Sequence, residues 1–462
     1  MGARMSTAKS RTAFFCKSCG GETLRWEGRC PACREWNTLV EAPPRSRNGP
    51  CESGLRGELA VAQELSDVST DSSPRLTVRS REMERVLGGG IVPGSVILIA
   101  GDPGIGKSTL LLGLAADVSA HSETLYVSGE ESPAQVKMRA DRLGISGRDL
   151  YILAATDLET VLQCLDERKP AMVLVDSIQT IRSEHLISES GTVGQIKEST
   201  RGLAAWAKAN DTPVLMSGHV TKGGDVAGPR VLEHIVDVVL YMEGDPISSW
   251  RLLRTYKNRF GSTNEVGVFE MSGTGLLDVE DPSHVFMSAR HPGSVGSVIV
   301  SVMEGSRPML VEIQALTVPS HMPSPRRVAT GIDLNRLLLV CAVLTRRAGI
   351  PLANQDVIVN VTGGLRVTEP AADLGLALAV ASNHLDSPLA PGVAAIGEIG
   401  LGGEVRMVPQ LDRRLREAER LGLGRCLVPE EAVREQGPSG SVNHVPVSTV
   451  RQAIRESLNK GS

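Results

Sequence analysis

A glycine-rich segment, residues 101–109, carries the clearest chemistry in the sequence. Its glycines let backbone N–H groups close around phosphate oxygens, and the helix that follows offers its positive end to the same anion. Lys107 reaches the terminal phosphates, and Ser108 can ligate magnesium. An apolar run precedes the segment and a helical pattern follows it, which is the context that such a loop needs. The predicted ATP and magnesium loop consists of Gly101, Asp102, Pro103, Gly104, Ile105, Gly106, Lys107, Ser108 and Thr109.

Three carboxylates stand where predicted strands end. Asp176 closes the apolar run 172–175, and Glu130 and Glu131 follow the run 124–128. Open α/β sheets place ligand groups at the carboxyl ends of their strands. We therefore expect Asp176 on the magnesium side of the nucleotide and one glutamate as the proton acceptor that activates water. The alternatives are a helix-capping aspartate and a solvated acidic turn.

Four cysteines form two C-x-x-C pairs near the start of the chain, and four others are scattered. Paired knuckles suit tetrahedral coordination of zinc by thiolates, and four filled positions indicate a structural ion. A redox C-x-x-C is the alternative, but such motifs normally come singly. The cations around the knuckles fit a nucleic-acid or partner-binding ribbon, and a solvated surface explains them almost as well. The predicted zinc ligands are Cys16, Cys19, Cys30 and Cys33.

Two further groups of cations are candidates for phosphate contacts. Lys257 and Arg259 lie two residues apart in the segment Lys-Asn-Arg-Phe-Gly, so on a strand both point to one side. If they reach a neighbouring subunit's nucleotide, they act as arginine fingers and make turnover depend on oligomerisation. A charged surface strand is the alternative. The glycine-containing stretch 220–230 offers Lys222 and Arg230 to a phosphodiester chain, without the stacking aromatics typical of single-strand binding.

The elements around these residues predict several domains. A chain of 462 residues is too long for one core, and roughly 150 residues per domain gives about three units. Short β-branched runs that alternate with helical patterns predict an α/β architecture with a mostly parallel sheet. The predicted organisation is a zinc ribbon at residues 1–40, a linker at 41–75, an ATPase core at 76–275 and a second α/β domain at 276–462.

Apolar patterns give the individual elements within these domains. The predicted core strands are 95–100, 124–128, 171–176, 213–218 and 236–242. The second domain is predicted to hold strands at 295–303, 309–318 and 357–361, and helices at 333–347, at 372–382 and from Leu411 to about Gly422.

The amino-acid composition excludes few classes of protein. A hydrophobic fraction of 41%, a charged fraction of 22% and a net charge of -4 are ordinary for a globular protein. Nucleic acid is not excluded, because binding needs a local basic stripe rather than a basic average. The N-terminal residues lack a signal pattern, and no stretch has the 18 or so apolar residues of a membrane helix. We therefore expect a cytoplasmic protein without a membrane partner.

The order of these motifs resembles one family over nearly the whole chain. The C-x-x-C pairs, the phosphate loop, Lys-Asn-Arg-Phe-Gly and the segment 397–405 (Gly-Glu-Ile-Gly-Leu-Gly-Gly-Glu-Val) are similar to the bacterial RadA (Sms) DNA-repair family. The resemblance implies an α/β fold with a zinc ribbon, a RecA-like P-loop ATPase core and a Lon-protease-like α/β domain. It also implies a hexameric ring that moves on single-stranded DNA. Within the site it implies Glu130 as the water-activating carboxylate and His219 as a polar sensor.

The last domain decides whether the resemblance includes proteolysis. A Lon-type protease needs a serine nucleophile that a lysine activates. In the matching stretches the resemblance puts Asp373 at the nucleophile position and Asp412 at the lysine position. Neither residue can play the original part, so we expect a non-proteolytic platform for assembly and DNA binding. Its candidate basic surface consists of Arg326, Arg327, Arg336, Arg346, Arg347, Arg413, Arg414 and Arg416.

Two functions remain open from the sequence. The favoured one is a DNA-dependent ATPase of recombinational repair, which the resemblance implies moves along single-stranded DNA and drives branch migration with RecA. The other is a regulatory RecA-like ring ATPase that controls a protein partner. Either function uses ATP, magnesium and zinc and works as a homo-oligomer. The first adds single-stranded and branched DNA and RecA as partners, and the zinc ribbon and the polar loops favour it.

Overall fold

Two compact units divide the chain. The first comprises Met1–Glu243, Leu253–Thr263 and Met271–Leu276, and the second comprises Gly244–Leu252, Asn264–Glu270 and Leu277–Ser462. The structure, a computed structural model, describes residues 14–16, 22–23, 25–31, 34–41, 64, 74–219, 229–244, 249–287, 293–436 and 443–458.

A small three-stranded sheet begins the described chain. It consists of β1 (Phe14–Cys16), β2 (Glu22–Thr23) and β3 (Leu39–Glu41), in the order β2-β1-β3 with antiparallel pairs. Cys16, Cys30 and Leu39 are its buried residues, and Phe14 packs against them. So small a core is typical of a module that needs a metal to fold.

A nine-stranded sheet carries the phosphate loop. Its elements are α1 (Arg81–Leu87), β4 (Val96–Gly101), α2 (Lys107–Ser119), β5 (Thr124–Ser128), α3 (Pro133–Arg142), β6 (Leu150–Ala154), α4 (Leu158–Arg168), β7 (Met172–Asp176), α5 (Val193–Ala209), β8 (Val214–His219), α6 (Pro229–Leu232), β9 (Val238–Glu243), β10 (Trp250–Asn258), β11 (Val266–Ser272) and β12 (Gly275–Asp278). The strand order is β12-β11-β10-β9-β4-β8-β7-β5-β6. The pairs from β9 to β6 are parallel, as the alternation of strands and helices predicts.

The continuous apolar runs explain why the central strands are buried on both faces. Every residue of β4 and β5 is buried, as are the first four of β7. The predicted strand 124–128 coincides with β5, and the other four core predictions differ from the observed bounds by one or two residues. Strand β6 was not predicted. It lies at the edge of the sheet and is only half-buried, so it lacks a clear apolar run.

Alternation along the central strands separates two faces of this sheet. Leu125, Val127, Val173 and Val175 belong to one hydrophobic cluster, which α4 and α5 cover on one face. Successive side chains on a strand point to opposite faces, so Asp176 lies on the other face. The phosphate-loop helix α2 packs against β5, β7 and β8. The sequence alternation thus decides which strand-end side chains can meet a bound nucleotide.

The second unit is built on a seven-stranded mixed sheet. Its elements are α7 (Pro282–Met287), β13 (Ser297–Glu304), β14 (Arg307–Pro319), β15 (Arg327–Thr330), α8 (Leu334–Val343), β16 (Gln355–Val361), α9 (Asp373–His384), β17 (Val393–Ala395), β18 (Glu398–Ile399), β19 (Val405–Arg406), α10 (Leu411–Arg420), β20 (Arg425–Pro429), α11 (Glu430–Gln436), β21 (Asn443–Val447) and α12 (Val450–Ser457). The order is β15-β16-β14-β13-β17-β20-β21, with β18 and β19 as a separate hairpin. Ten residues of α9 are buried, which makes it the central helix of this core.

Most of the predicted elements of the second unit are present. The helix predicted at 333–347 is α8 followed by a π-helical turn at Leu344–Ala348, and Asp333 caps its start. The last clear helix was predicted at Leu411, but α11 and α12 follow it. Both are short, so they carry little periodic signal. Among the described helices, none combines the length and the apolar character needed to cross a bilayer.

Candidate nucleotide site

The phosphate loop joins β4 to α2 at the carboxyl end of the parallel strands. Gly106 is the N-cap of α2 and has φ 118°, a backbone conformation that favours glycine. A Cβ at this position would lie 2.5 Å from the Met271 Cε atom. No side chain caps the first turn of α2 and no acidic residue lies in it, so its N–H groups can receive an anion.

Lys107 is buried inside this loop. Its Nζ atom donates hydrogen bonds to the carbonyl oxygens of Gly101 and Asp102, at 2.8 and 2.9 Å. Burial lowers the pKa of Lys107, and the charges of Asp176, Asp102 and Glu130 oppose that shift. The ammonium group therefore lies in the loop within electrostatic reach of two of the predicted strand-end carboxylates. This is the position from which a lysine neutralises terminal phosphates.

Asp176 ends β7, and both of its carboxylate oxygens accept hydrogen bonds. The Tyr126 hydroxyl donates to Oδ2 at 2.7 Å, and the Ser217 hydroxyl donates to Oδ1 at 2.6 Å. Because hydroxyl groups of neighbouring strands occupy both oxygens, Asp176 does not cap the next segment, the alternative that the sequence left open. Oxygen donors such as Asp176 and the Ser108 hydroxyl are the ligands that magnesium prefers, so the residues fit this ion.

Glu130 and Glu131 have different partners. The Oε1 atom of Glu130 accepts a hydrogen bond from the Ser177 hydroxyl at 2.5 Å, next to Asp176. Glu131 instead forms an ion pair with Arg139 of α3, with 2.6 Å between Oε1 and Nη2. The charge of Glu130, and not that of Glu131, acts on Lys107. The two glutamates are thus separated by their contacts, and only Glu130 lies by the phosphate loop.

His219 ends β8 and completes this group. It is opposite Gly101 in the register of β4 and β8, so it flanks the first residue of the phosphate loop. Its Nε2 atom is 3.4 Å from Oε1 of Glu130, and its Nδ1 atom is buried with no hydrogen-bond partner among the residues that the structure describes. The polar-sensor position that the resemblance implies therefore lies beside Glu130.

Lys257 and Arg259 lie at the other end of the strands. The Nζ atom of Lys257 donates to the carbonyl oxygens of Glu233 and Val236, the latter at 2.7 Å. Arg259 pairs with the buried Asp237 at 3.3 Å between Nη1 and Oδ1, and half of its side chain is exposed. Burial, and then the charge of Arg259, lowers the pKa of Lys257. Both cations therefore contact the segment that precedes β9, and Arg259 is the more exposed of the two.

The two predicted DNA contacts cannot be placed. Lys222 lies outside the described residues. Arg230 belongs to helix α6, but its side chain is also outside them.

The ribbon presents part of the predicted zinc site. Cys16 and Cys30 are buried in one small cluster, while Cys19 and Cys33 lie outside the described residues. Around Cys30 the backbone forms a tight turn, in which the Arg34 N–H donates to the Cys30 carbonyl and the Cys30 N–H donates to the Glu35 carbonyl, both at 2.8 Å. Two buried thiols, one at the end of β1 and one on this turn, fit a soft, tetrahedral ion, and with Cys19 and Cys33 they would hold zinc as a structural cross-link.

The two residues expected at the positions of a lost protease dyad, Asp373 and Asp412, have different surroundings. Asp373 begins α9 and binds Arg336, with 3.1 Å between Oδ1 and Nε. Asp412 is exposed in the first turn of α10. Asp373 Oδ2 also accepts a hydrogen bond from the Ile399 N–H of the second stretch, at 3.3 Å. Beside it, Glu369 pairs with the buried Arg414, with 2.5 Å between Oε2 and Nη2. A charged pair of this kind supplies neither a serine nucleophile nor a neutral lysine base.

The predicted basic surface of the second unit needs correction. The expectation is wrong for Arg414, which is only 1% exposed and is neutralised by Glu369. Arg336 is largely occupied by Asp373, and the Arg327 guanidinium donates to backbone carbonyls, including those of Leu352 and Gln355. Sequence cannot separate buried from solvated arginines, because both occur at helical spacing beside apolar residues. The exposed members are Arg326, Arg346, Arg347, Arg413 and Arg416.

Three site residues were missed from the sequence: Tyr126, Ser177 and Ser217. They contact Asp176 or Glu130 and lie on β5, just after β7 and on β8. Alternation along each strand places Tyr126 and Ser217 on the face of Asp176. The strand order β8-β7-β5, which makes their hydroxyls neighbours of one carboxylate, has no such sequence signal.

A glycine-rich loop between a strand and a helix, on a parallel sheet with carboxylates at the neighbouring strand ends, defines a P-loop ATPase with a RecA-like core. Residues 62–225 match the family model described as an AAA domain, and residues 14–41 match the one described as a rubredoxin metal binding domain. The ATPase class and the ribbon predicted from the sequence are thereby confirmed.

Relatives match this chain over nearly its whole length. It is 45% identical to the DNA repair protein RadA of Halalkalibacterium halodurans, over 98% of this chain and 100% of the relative. The identity is also 45% to the RadA proteins of Bacillus subtilis (98% and 99% covered) and Pseudomonas aeruginosa (97% and 99% covered). The chain belongs to the RadA family of DNA repair proteins, as its motif order predicts.

Proposed function

We propose that this protein is a DNA-dependent ATPase of recombinational repair. It translocates on single-stranded DNA in the cytoplasm and drives branch migration of recombination intermediates together with RecA. The relatives are named DNA repair proteins, which supports the repair role. The coupling of ATP turnover to DNA is supported by the construction of the site, and above all by the end of strand β8.

Strand β8 touches both carboxylates of the site. Ser217 donates a hydrogen bond to Asp176, and His219 lies 3.4 Å from Glu130. The chain continues from His219 directly into residues 220–230, which hold the proposed DNA contacts Lys222 and Arg230. A DNA strand that repositions this segment would displace the end of β8. The groups around Asp176 and Glu130 would then move with it. This connection is the main support for the proposal, because β8 joins the segment with the proposed DNA contacts directly to the carboxylates proposed for hydrolysis.

In the proposed reaction, Lys107 and the N–H groups of the loop bind the phosphates. Ser108 and Asp176 would hold magnesium, which would neutralise developing charge on the phosphates. Glu130 accepts a proton from the attacking water, because it is the glutamate that lies by the loop. His219 and Ser177 orient that carboxylate. Glu131 has a structural role through its pair with Arg139.

The position of Arg259 supports a ring, which we propose is a hexamer. The Arg259 N–H bonds the Asp237 carbonyl, and the Asp237 N–H bonds the carbonyl of Val96, the first residue of β4. The phosphate loop begins at the far end of β4, five residues or about 16 Å away. Arg259 is thus remote from its own subunit's phosphates. In a ring it reaches a neighbour's nucleotide, while Lys257 supports the turn on which it rests.

ATP hydrolysis with and without single-stranded DNA tests the proposal. We expect the wild-type protein to hydrolyse ATP faster with DNA, and the stimulation to fall steeply with salt, because phosphate contacts release counterions. Lys107→Ala is the control for contaminating activity and should hydrolyse nothing. Absence of stimulation, together with absence of salt-sensitive DNA binding, would rule out the motor. Turnover that instead responds to a protein such as RecA without DNA would favour a regulatory ring ATPase.

A further inference from the structure

Asp176 is held from two sides by hydroxyl groups of the neighbouring strands. Tyr126 lies on β5 and Ser217 on β8, and β7 with Asp176 runs between them. Each hydroxyl donates to a different oxygen of the carboxylate, at 2.7 Å for Tyr126 and 2.6 Å for Ser217. Two hydrogen bonds from opposite sides fix the plane of a carboxylate, which a single bond leaves free to rotate.

The register explains why Tyr126 reaches Asp176. Ser128 is opposite Asp176 in the parallel pair of β5 and β7, and Tyr126 precedes it by two residues on the same face. That offset is about 7 Å along the strand, which a phenol ring spans and a shorter side chain does not. Tyr126 is fully buried, and its ring lies within the sheet's packed interior. Packing therefore holds the ring in one position, and the hydroxyl group makes the contact with Asp176.

The Tyr126 hydroxyl is the donor in its bond with Asp176, because a carboxylate only accepts. The remaining lone pairs of Asp176 stay free for a cation. Partners of this kind, behind a metal ligand, orient it and tune its affinity for the ion.

We propose that Tyr126 and Ser217 are positioning residues, which set the magnesium affinity of the nucleotide site by fixing the carboxylate of Asp176. The inference rests on the proposed role of Asp176 beside magnesium. It extends that role to two residues that contact the carboxylate of Asp176. It requires no DNA, so it can be tested apart from the motor function.

The test measures binding of a fluorescent ADP analogue while magnesium is varied. For Tyr126→Phe we expect the affinity for the analogue in excess EDTA to stay within about 2-fold of wild type. The magnesium concentration at half-saturation should rise about 10-fold or more, the loss typical when a ligand's outer partner is removed. Ser217→Ala should behave in the same way. Tyr151→Phe is the matched control, since Tyr151 lies on the neighbouring strand β6 and its ring packs against Arg168 of α4.

Asp176→Asn distinguishes the role of Asp176 as a magnesium ligand from the positioning roles of Tyr126 and Ser217. If this variant keeps the wild-type magnesium midpoint, the role of Asp176 itself is wrong. If it shifts the midpoint while Tyr126→Phe and Ser217→Ala do not, Asp176 keeps its role and the positioning proposal is overturned. Equal losses of affinity in EDTA and in magnesium would also overturn it, because they would indicate general loosening of the sheet. Should Tyr126→Phe fail to fold, Ser217→Ala decides the question alone.

Discussion

Two adjacent glutamates differ at the scale of single residues because their partners differ. Glu130 receives the Ser177 hydroxyl and lies near His219, whereas Glu131 pairs with Arg139. The carboxylate of Glu131 is thus engaged by a guanidinium, whereas that of Glu130 meets a hydroxyl and an imidazole. We therefore assign the proposed catalytic role to the first of the pair, although in the sequence both simply follow β5, two and three residues after its end.

Replacing each glutamate by glutamine separates these roles. Glu130→Gln should lower the rate of ATP hydrolysis by at least about 100-fold, the usual contribution of a general base, while ADP binding stays near wild type. Glu131→Gln keeps a hydrogen-bond acceptor for Arg139 and should retain most of the activity. Steady-state hydrolysis and ADP titration measure both effects. A greater loss in Glu131→Gln than in Glu130→Gln would reverse the assignment.

The pair of Asp373 and Arg336 makes a second prediction at this scale. Burial raises the pKa of Asp373 to about 6, against the opposing charge of Arg336. This folded-state pKa exceeds the unfolded value of about 4. The group therefore favours folding most at low pH, and this contribution is lost as the pH rises through 6. Arg336→Met leaves the carboxylate without its cation and should raise its pKa further.

We expect Arg336→Met to destabilise the second unit by about 3 kcal/mol near neutral pH, the lower end for breaking a buried pair. The loss should be smaller at about pH 5, because a protonated carboxyl needs no cation. Hydrogen exchange of the amides in α9 at both pH values measures the effect. Arg346→Met, at an exposed position, is the control. A loss that does not depend on pH would mean that packing, rather than charge, is what Arg336 provides.

At the scale of elements, the turn after β5 depends on a close approach. The Gly129 N–H donates to the Asp176 carbonyl at 2.9 Å, and a Cβ on Gly129 would lie 1.8 Å from the Thr180 hydroxyl oxygen. Gly129 has no positive φ, so the constraint is contact and not backbone strain. This hydrogen bond and the close approach to Thr180 hold the turn after β5 against the turn after β7. Glu130 follows at once, so its position depends on this contact.

Two glycine-to-alanine changes test this arrangement. Gly129→Ala should displace the turn and reduce ATP hydrolysis far more than ADP binding. Gly113→Ala is the matched control, because nothing lies within 4 Å of its Cβ position in α2. There alanine should stabilise the helix by about 0.5–1 kcal/mol. Hydrolysis rates and thermal unfolding measure the two outcomes, and unchanged turnover in Gly129→Ala would contradict the proposed arrangement.

At the scale of the whole molecule, the proposed ring divides each site between two subunits. The phosphate loop and Arg259 occupy opposite ends of the parallel strands, as the bonds from Arg259 to Asp237 and from Asp237 to Val96 indicate. One chain cannot bring both to the same phosphate. A site completed by a neighbour makes hydrolysis depend on assembly, and it gives a ring a means to coordinate its subunits.

Mixing two inactive variants tests this division. Lys107→Ala and Arg259→Ala should each hydrolyse little ATP alone. In an equal mixture that has exchanged subunits, about a quarter of the sites combine an intact loop with an intact Arg259, so activity should recover to about that level. A Lys107→Ala/Arg259→Ala double variant mixed with wild type is the control for exchange. If the single variants do not complement while that control shows exchange, Arg259 acts within its own subunit or not at all.

The sequence determined those features that depend on residue type and short spacing. The phosphate loop requires glycines, a lysine and a serine at fixed positions within nine residues, and strand β5 follows from one apolar run. Motif order was enough to predict the family. The half-exposed strand β6 and the short helices α11 and α12 were missed, because their patterns are weak.

Only the tertiary structure decided which side chains meet across strands. Hydrogen bonds to Asp176 come from Tyr126 and Ser217, 50 and 41 residues away, and they depend on the order β8-β7-β5. Burial likewise decided that Arg414 neutralises Glu369 instead of facing a solvent or DNA surface. Spacing along a chain fixes the face on which a residue lies. Which neighbour it contacts is fixed by strand order and register, which arise when the whole core packs.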